Sequence, residues 1–303
     1  MAANHALPII WHEGYEVDIG PHVFPTRKYR LVRDQLIREG TIAEQDIERP
    51  SSASPKEIAL VHTTEFVRKI EQADFAPEEI ARLEVPFSPE LRVASLLGAG
   101  GSILAARRAL ERGAAAHLGG GHHHAFPDHG EGFCLINDVA VALKVLLEEG
   151  AVRRAVVIDL DVHQGNGTAA IFRDDERVFT FSIHQENNYP FSKPPSDLDI
   201  GLEDGTGDEE YLCAVDEHVP QIARQHRLEL AFYLTGADPY QWDQLGGLKL
   251  TLQGLRQRDE LVCGALRREG VAVAVVLAGG YAVETRDTVE IHCGSVRAAR
   301  EAL

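Results

Sequence analysis

The sequence contains little cysteine and few basic residues. Its four cysteines, at positions 134, 213, 263 and 293, have no CxxC spacing, so neither a disulfide framework nor a thiolate zinc site is predicted. Lysine and arginine together number 30 against 47 aspartates and glutamates, a net charge of -17, and the basic residues form no stripe. Because nucleic-acid contacts need clustered basic side chains, a nucleic-acid partner is disfavoured, whereas cationic substrates fit this charge.

Long apolar runs, linkers and internal repeats are also missing. No apolar run reaches the length of a transmembrane helix, and residues 1–7 lack the basic start and apolar stretch of a signal peptide. The turn formers at 49–55 suit a surface loop better than a linker, and no solenoid or propeller period is present. The chain is therefore predicted to form one domain over residues 1–303, cytoplasmic and with no membrane partner.

Short apolar runs rich in Val, Ile and Ala are what the sequence does contain. Such runs lie at 155–160, 178–183, 228–234 and 271–277. They are typical of strands buried on both faces, as in a parallel sheet. The segments 139–149 and 211–227 between them have helical spacing of apolar residues. This alternation predicts an α/β fold with a central parallel sheet flanked by helices.

Polar residues and glycines follow each of these four runs. Ligand sites of open α/β sheets lie at the carboxyl ends of the strands, where such residues would meet. Four runs that each end in this way favour a functional site over turn chemistry alone. The residues concerned are Asp159, Asp161, His163, Ser182, Asp238 and Tyr281.

Two of these residues have the spacing of metal ligands. Asp161 and His163 are two apart, so in an extended segment both side chains point the same way, and Asp238 could complete the set. Two carboxylates and one imidazole would leave positions open, as in a catalytic metal site, and would accept zinc, ferrous or manganous ion. Taken alone, however, Asp161 and His163 could equally be a turn residue and the first residue of a helix.

A histidine pair and a tyrosine could supply the rest of a hydrolytic site. His123 and His124 follow three glycines, which would let the backbone approach a ligand and the imidazoles transfer protons. The alternative for this stretch is a plain glycine-rich turn before a helix. Tyr281 follows two further glycines and is either a half-buried aromatic residue or a donor to an oxyanion opposite the metal.

Five motifs, in order, resemble the histone deacetylase family of the arginase–deacetylase superfamily. They are Gly-Gly-Gly-His-His-His at 119–124, Glu-Gly-Phe-Cys at 131–134 with Asn-Asp at 137–138, the segment 159–167, Gly-Ala-Asp-Pro-Tyr at 236–240 with Leu-Gly-Gly at 245–247, and Leu-Ala-Gly-Gly-Tyr at 277–281. The version here is most similar to the class IV branch and its bacterial relatives. The resemblance implies the arginase–deacetylase fold, a parallel sheet whose loops form a narrow channel leading to zinc.

The resemblance also implies roles for individual residues. The zinc ligands are expected to be Asp161, His163 and Asp238. The catalytic residues are expected to be His123 with its partner Asp159, His124 with its partner Asn166, and the carbonyl-polarising Tyr281. The channel is expected to involve Gly132, Phe133, an aromatic residue that is either Tyr189 or Phe191, and Leu245. A structural potassium ion is expected at oxygens of Asp159, Asp161, His163, Ser182 and Ile183.

The activity implied is removal of an acyl group, acetyl or longer, from an acylated lysine in protein or peptide or from a small acylated amine. Leu245 replaces the glutamate that attracts a second ammonium in acetylpolyamine amidohydrolases, which favours acyl-lysine, and residues 84–88 offer no rim aspartate and only Glu84. Acetylpolyamine hydrolysis and a non-catalytic acyl-binding protein on the same scaffold are the alternatives. A binuclear ureohydrolase would need further acidic or histidine ligands where Gln164 and Asn166 stand.

Overall fold

A single parallel sheet runs through the computed structural model, which describes residues 6–303. Residues 1–5, which the single-domain and signal-peptide predictions include, lie outside the described residues. All strand pairs in the described part of the chain are parallel. The strands are β1 (Ile9–Ile10), β2 (Ile47–Glu48), β3 (Ala114–His117), β4 (Ala155–Asp159), β5 (Val178–Gln185), β6 (Leu198–Leu202), β7 (Leu230–Leu234) and β8 (Ala272–Val276).

The strand order is β2-β1-β3-β8-β7-β4-β5-β6. The four predicted apolar runs correspond to β4, β5, β7 and β8, which are neighbours in the sheet, so this prediction is confirmed. The outer strands β1, β2, β3 and β6 were not predicted from the sequence. Two of these contain only two residues, and β3 is an Ala-Ala-Ala-His segment without the β-branched residues that mark a strand.

Helices cover both faces of the sheet. Both predicted helices are confirmed, 139–149 within α6 and its C-cap and 211–227 within α8 and the turn after it. None of the helices in residues 6–303 has the length and apolar character needed to cross a membrane. The helices are α1 (Lys28–Arg38), α2 (Pro55–Ile58), α3 (Thr64–Gln72), α4 (Pro77–Leu83), α5 (Pro89–Arg112), α6 (Asp138–Glu148), α7 (Asn166–Phe172), α8 (Asp208–Gln225), α9 (Leu252–Arg268) and α10 (Thr285–Glu301).

The central strands are apolar throughout because each face of the sheet packs against a helical layer. In β8, Val273 and Val275 belong to a core shared with α1, α8, α9 and α10. Ala274 and Val276 belong to a second core, shared with α2 to α7. Side chains alternate between the two faces of a strand, so both faces must be apolar. The predicted α/β architecture is thereby confirmed.

A close backbone approach sets the position of α7 at the carboxyl edge of the sheet. A Cβ on Gly167 would lie 2.3 Å from the carbonyl oxygen of Ala125, so only glycine fits there. The segment after the histidine pair and the first turn of α7 therefore lie in contact. This contact brings Asn166, the first residue of α7, to the side of His124.

Candidate active site

The predicted metal ligands and Tyr281 follow three neighbouring central strands. Asp161 and His163 follow β4, Asp238 follows β7, and Tyr281 follows β8. These strands are adjacent in the order β8-β7-β4 and are parallel, so their carboxyl ends meet at one edge of the sheet. His123 and His124 follow β3, which pairs with β8, so they lie at the same edge.

Asp161, His163 and Asp238 form a compact, buried group. One ligand-capable atom from each lies within 4.8 Å of the others. His163 Nδ1 is 3.0 Å from Asp161 Oδ1 and 3.5 Å from Asp238 Oδ2. Asp238 Oδ2 is buried and has no hydrogen-bond donor among the described residues. Burial and the neighbouring Asp161 carboxylate raise the pKa of Asp238. Because two buried carboxylates need a nearby positive charge, this group suits a metal cation.

The backbone holds both carboxylates in place. Val162 N–H donates to Asp238 Oδ1 at 2.9 Å, and His163 N–H donates to Asp161 Oδ1 at 3.0 Å. Gly279 N–H donates to Asp161 Oδ2 at 2.8 Å. A Cβ on Gly279 would lie 2.0 Å from Asp238 Oδ2, so the close approach requires glycine. Each carboxylate oxygen except the orphaned one is therefore fixed by a backbone amide.

His123 lies between two carboxylates. Its Nδ1 is 2.7 Å from Asp159 Oδ2, and its Nε2 is 3.8 Å from Asp161 Oδ1. Burial opposes the charged form, but these carboxylates outweigh it and raise the pKa of His123 to about 9. At neutral pH this imidazole therefore carries a positive charge.

His124 packs against His123 but has a neutral partner. The two ring centroids are 4.0 Å apart, and His124 Nδ1 is 2.7 Å from Asn166 Oδ1. Burial, with repulsion from the neighbouring histidines, holds the pKa of His124 well below its usual value. The structure thus brings together both predicted pairs, one charged and one neutral.

Tyr281 lies close to the carboxylates of Asp161 and Asp238, and a third carboxylate anchors its backbone. Its backbone N–H donates to Asp243 Oδ2 at 2.6 Å. Burial and the nearby carboxylates raise the pKa of Tyr281 well above its usual value, so the phenol stays protonated. Lys28, fully buried, lies 5.7 Å from the Tyr281 ring and donates from Nζ to Ala278 O at 2.7 Å. Burial lowers the pKa of Lys28 to about 8, against the opposing pull of nearby aspartates.

A narrow cavity of about 170 Å³ leads to these residues. Ligand pockets for drug-sized molecules typically have about 300–1,000 Å³, so this cavity suits one unbranched chain. Phe191, expected as one of two candidates for the aromatic wall, is 98% exposed and does not line the cavity, because its side chain points into solvent. The other candidate, Tyr189, does line the cavity. The lining residues are Glu84, His124, Gly132, Phe133, His163, Asn188, Tyr189, Leu245 and Tyr281.

The residues predicted for a potassium ion lie at the ends of β4 and β5. Asp159 pairs with Ser182 in the sheet register. Ser182 Oγ is 2.9 Å from His184 Nδ1. Ile183 is fully buried next to it. The residues are thus neighbours in space, around the strand end that carries Asp161.

A buried ion pair under the site was not predicted from the sequence. Arg258 of α9 donates from Nη1 to Gly236 O at 2.7 Å and to Leu160 O at 3.2 Å, the loops that precede Asp238 and Asp161. Its Nε donates to Asp259 Oδ1 at 2.9 Å. An Arg-Asp dipeptide on a helix normally indicates a solvated surface, so its sequence carried no signal of this role.

Two further residues at the site were also missed. Asp243, which holds the Tyr281 backbone, lies in a loop with no spacing that would indicate a contact. Glu131 belongs to the motif at 131–134 but was given no role there, although its carboxylate accepts a hydrogen bond from Asn166. Both act through other residues, and such contacts are set by the fold rather than by local spacing.

Comparisons with known proteins agree with this geometry. A family model described as the histone deacetylase domain matches residues 22–295. The chain is 40% identical over 296 residues to an uncharacterised protein of Picosynechococcus sp., covering 97% of this chain and 99% of that protein. It is 30% identical to histone deacetylase 2 of Arabidopsis thaliana, covering 91% and 74%. A crystal structure of the HDA15 HD domain superposes with a TM-score of 0.80 at 21% identity, covering 99% of this chain and 89% of that one, and this likeness confirms the predicted fold.

Proposed function

The chain belongs to the histone deacetylase family, and from that premise we propose that it hydrolyses an acyl amide of a lysine side chain or similar amine with the help of a divalent metal ion. Family membership supports a hydrolytic deacetylase. The observation that carries the finer proposal is the buried group of Asp161, His163 and Asp238 at the floor of a narrow cavity. His124 and Tyr281 line the same cavity, and His123 packs against His124.

We propose zinc as the metal, with ferrous ion as the alternative for the same donor set. The unpartnered Asp238 Oδ2 supports a cation at this point. When bound, the ion supplies a Lewis acid that polarises the acyl carbonyl and makes water nucleophilic at neutral pH. Metal analysis of the protein purified without added metal tests this: one transition ion per chain is expected, and two would favour a ureohydrolase.

The two histidines are proposed to have different tasks. His124 accepts a proton from the attacking water and later donates it to the leaving amine nitrogen. Its neutral partner, Asn166, supports this role, since an amide carries no charge that would keep the imidazole protonated. His123, paired with Asp159, stays cationic and stabilises negative charge that develops in the transition state. A His124→Ala variant that kept most activity while His123→Ala lost all of it would contradict this division.

Tyr281 is proposed to donate a hydrogen bond from its phenolic hydroxyl to the oxyanion that forms at the acyl carbon. The raised pKa keeps that hydrogen available at neutral pH. Gln244 Nε2 and the Asp243 carboxylate hold the Tyr281 backbone, at its O and its N respectively, so the phenol is positioned in advance. Preorganised donors of this kind stabilise charge without the reorganisation that water would need.

The substrate is proposed to enter as a single extended side chain. Phe133 and Tyr189 give the cavity aromatic walls, and Leu245 adds an apolar contact near its mouth. Such a lining suits the methylene chain of an acyl-lysine. A second candidate, an acetylated polyamine, is favoured by one observation: the exposed carboxylate of Glu84 also lines the cavity and would attract a distal ammonium group.

We also propose a potassium site and a cytoplasmic location. A potassium ion at the strand end formed by Asp159, Asp161, His163, Ser182 and Ile183 is supported by their proximity and by the register of β4 and β5. A cytoplasmic location is supported by four free cysteines, three of them buried, as is usual in a reducing compartment.

The decisive experiment is turnover of acyl-lysine peptides and acetylated polyamines, from acetyl to myristoyl, by the zinc-loaded protein. Tyr281→Phe is assayed beside it as the matched variant, since it removes only the hydroxyl. Release of one acyl class that depends on Tyr281 supports the proposal and identifies the substrate class. No turnover of any substrate by folded, zinc-loaded protein would instead favour a non-catalytic acyl-binding protein.

A further inference from the structure

A carboxylate that the proposed reaction does not use lies behind the histidine pair. Glu131 Oε1 accepts a hydrogen bond from Asn166 Nδ2 at 2.7 Å and another from the Tyr189 hydroxyl at 2.8 Å. Its Oε2 is 3.5 Å from His129 Nε2. Although burial opposes it, hydrogen bonds from these three neighbours lower the pKa of Glu131, so it is ionised at neutral pH.

An ionised carboxylate can only accept hydrogen bonds. The side-chain amide of Asn166 has a donor end and an acceptor end of nearly equal size. Next to Glu131, the NH₂ end must face the carboxylate, and the acceptor Oδ1 must therefore face His124 Nδ1. The opposite orientation would place Asn166 Oδ1 against Glu131 Oε1, at hydrogen-bond distance with no hydrogen between two acceptors.

The orientation of Asn166 decides where the hydrogen of neutral His124 lies. Since Asn166 Oδ1 accepts, His124 Nδ1 must carry the hydrogen, and Nε2 keeps its lone pair. His124 lines the cavity, so this lone pair is the one available to a water molecule there. We propose that Glu131 is a positioning residue that fixes the tautomer of His124 through Asn166 and so makes that histidine competent as a base.

This inference rests on the proposed function, because only a base at His124 gives the tautomer a catalytic consequence. Without Glu131, Asn166 could turn its NH₂ toward His124 Nδ1, which would place the hydrogen on Nε2. A catalytic histidine held in the wrong tautomer loses about 10⁴-fold in kcat in serine proteases, which sets the upper limit. For Glu131→Ala we expect a loss in kcat between about tenfold and that limit, with KM changed much less.

A double-mutant cycle separates this role from simple structural support. Asn166→Asp alone would put two carboxylates 2.7 Å apart, and a large loss in kcat is expected. In Asn166→Asp/Glu131→Gln, the introduced glutamine NH₂ can donate to the introduced aspartate, which still accepts from His124 Nδ1. The double variant should therefore be at least about tenfold more active than Asn166→Asp. Losses that simply multiply would overturn the proposal.

Histidine nitrogen resonances give a readout that does not depend on turnover. In ¹⁵N-histidine-labelled, zinc-loaded protein, the His124 signal should report hydrogen on Nδ1, and in Glu131→Ala a population with hydrogen on Nε2 should appear. An unchanged His124 tautomer in Glu131→Ala would overturn the proposal even if activity fell. If the wild type turned over no acyl amide, the proposed function would fail while the tautomer result still stood.

A control variant changes the other side of the same carboxylate. His129→Gln alters the contact to Glu131 Oε2 and leaves Oε1, which bonds Asn166, untouched. Because the glutamine NH₂ can still donate to Glu131 Oε2, and Oε1 keeps its two donors, Glu131 should stay ionised. We therefore expect kcat within about twofold of wild type and an unchanged His124 tautomer. A loss as large as that of Glu131→Ala would mean that any disturbance of this loop impairs turnover, and would count against the proposal.

Discussion

Replacing Arg258 by methionine should destabilise the protein strongly, because it leaves a buried carboxylate unpaired. The guanidinium is fully buried and pairs with Asp259, itself 1% exposed. Methionine fills a similar volume, so loss of packing is small, but the buried Asp259 carboxylate is left with only the hydroxyls of Tyr233 and Ser295 as donors among the described residues. Breaking a buried pair in this way costs about 3–5 kcal/mol in the free energy of unfolding.

The same change should also weaken metal binding. Arg258 holds the carbonyls of Leu160 and Gly236, each close in sequence to a proposed metal ligand. Only the Tyr211 hydroxyl, at 3.4 Å, would remain on Leu160 O. Residues that orient metal ligands from behind typically contribute about 10- to 100-fold in affinity, and a loss of that size for zinc is expected, measured by calorimetric titration.

Urea unfolding followed by circular dichroism and by tryptophan fluorescence is the assay for stability, and the two probes should give one midpoint before a free energy is derived. Arg256→Met is the matched control on α9: Arg256 is exposed and pairs with Glu260 four residues on, so a change within about 0.5 kcal/mol is expected. Adding Asp259→Asn to Arg258→Met should recover part of the loss, because no unpaired charge remains. A loss below about 1 kcal/mol for Arg258→Met, or no recovery, would refute this reasoning.

Three further predictions concern the site and its floor. Gly279→Ala should abolish zinc binding, since the added Cβ would lie 2.0 Å from Asp238 Oδ2; wild-type affinity in a calorimetric titration would contradict this. Tyr281→Phe should lower kcat about 10²- to 10³-fold with zinc affinity unchanged, and a loss under about threefold in steady-state turnover would argue against the oxyanion contact. Lys28 has a pKa of about 8 in the folded protein, against 10.5 for an ordinary lysine. Above pH 8 the unfolded chain therefore binds more protons than the folded protein, and the free energy of unfolding should rise by about 3 kcal/mol from pH 8 to pH 10.5. Lys28→Met should lack this rise. If the urea midpoints of the wild type and of Lys28→Met shifted equally from pH 7.5 to pH 10, the prediction would be wrong.

The central strands and the site could be predicted because both leave a local signal. A strand buried on both faces must be apolar at every position, so β4 and β8 stand out in the sequence. The proposed metal ligands Asp161 and His163 have a two-residue spacing, which places both side chains on the same side of an extended segment. Asp159 and Asn166, the partners of the histidine pair, were expected from the family resemblance, whose motif at 159–167 contains both.

The residues that escaped prediction act across long distances in the chain. Arg258 contacts Leu160, 98 positions away, and Asp243 contacts the backbone of Tyr281, 38 positions away. Such contacts exist only once the sheet has formed, and the residue type alone suggests a surface position. Phe191 shows the reverse: an aromatic residue close to Tyr189 was a candidate for the wall by type, yet the turn of its loop directs it into solvent.

The place of β8 in the sheet has a consequence for synthesis of the chain. Strands β1 to β3 and strands β4 to β7 form two separate ribbons, and β8, which follows the other seven described strands in the chain, pairs with β3 on one side and β7 on the other. Until Ala272–Val276 has left the ribosome, no strand pairing joins the ribbons, and Gly279 and Tyr281 are also missing from the site. The proposed site therefore cannot form gradually in a nascent chain: the residues up to Tyr281 must be synthesised before β8 can close the sheet and complete the site.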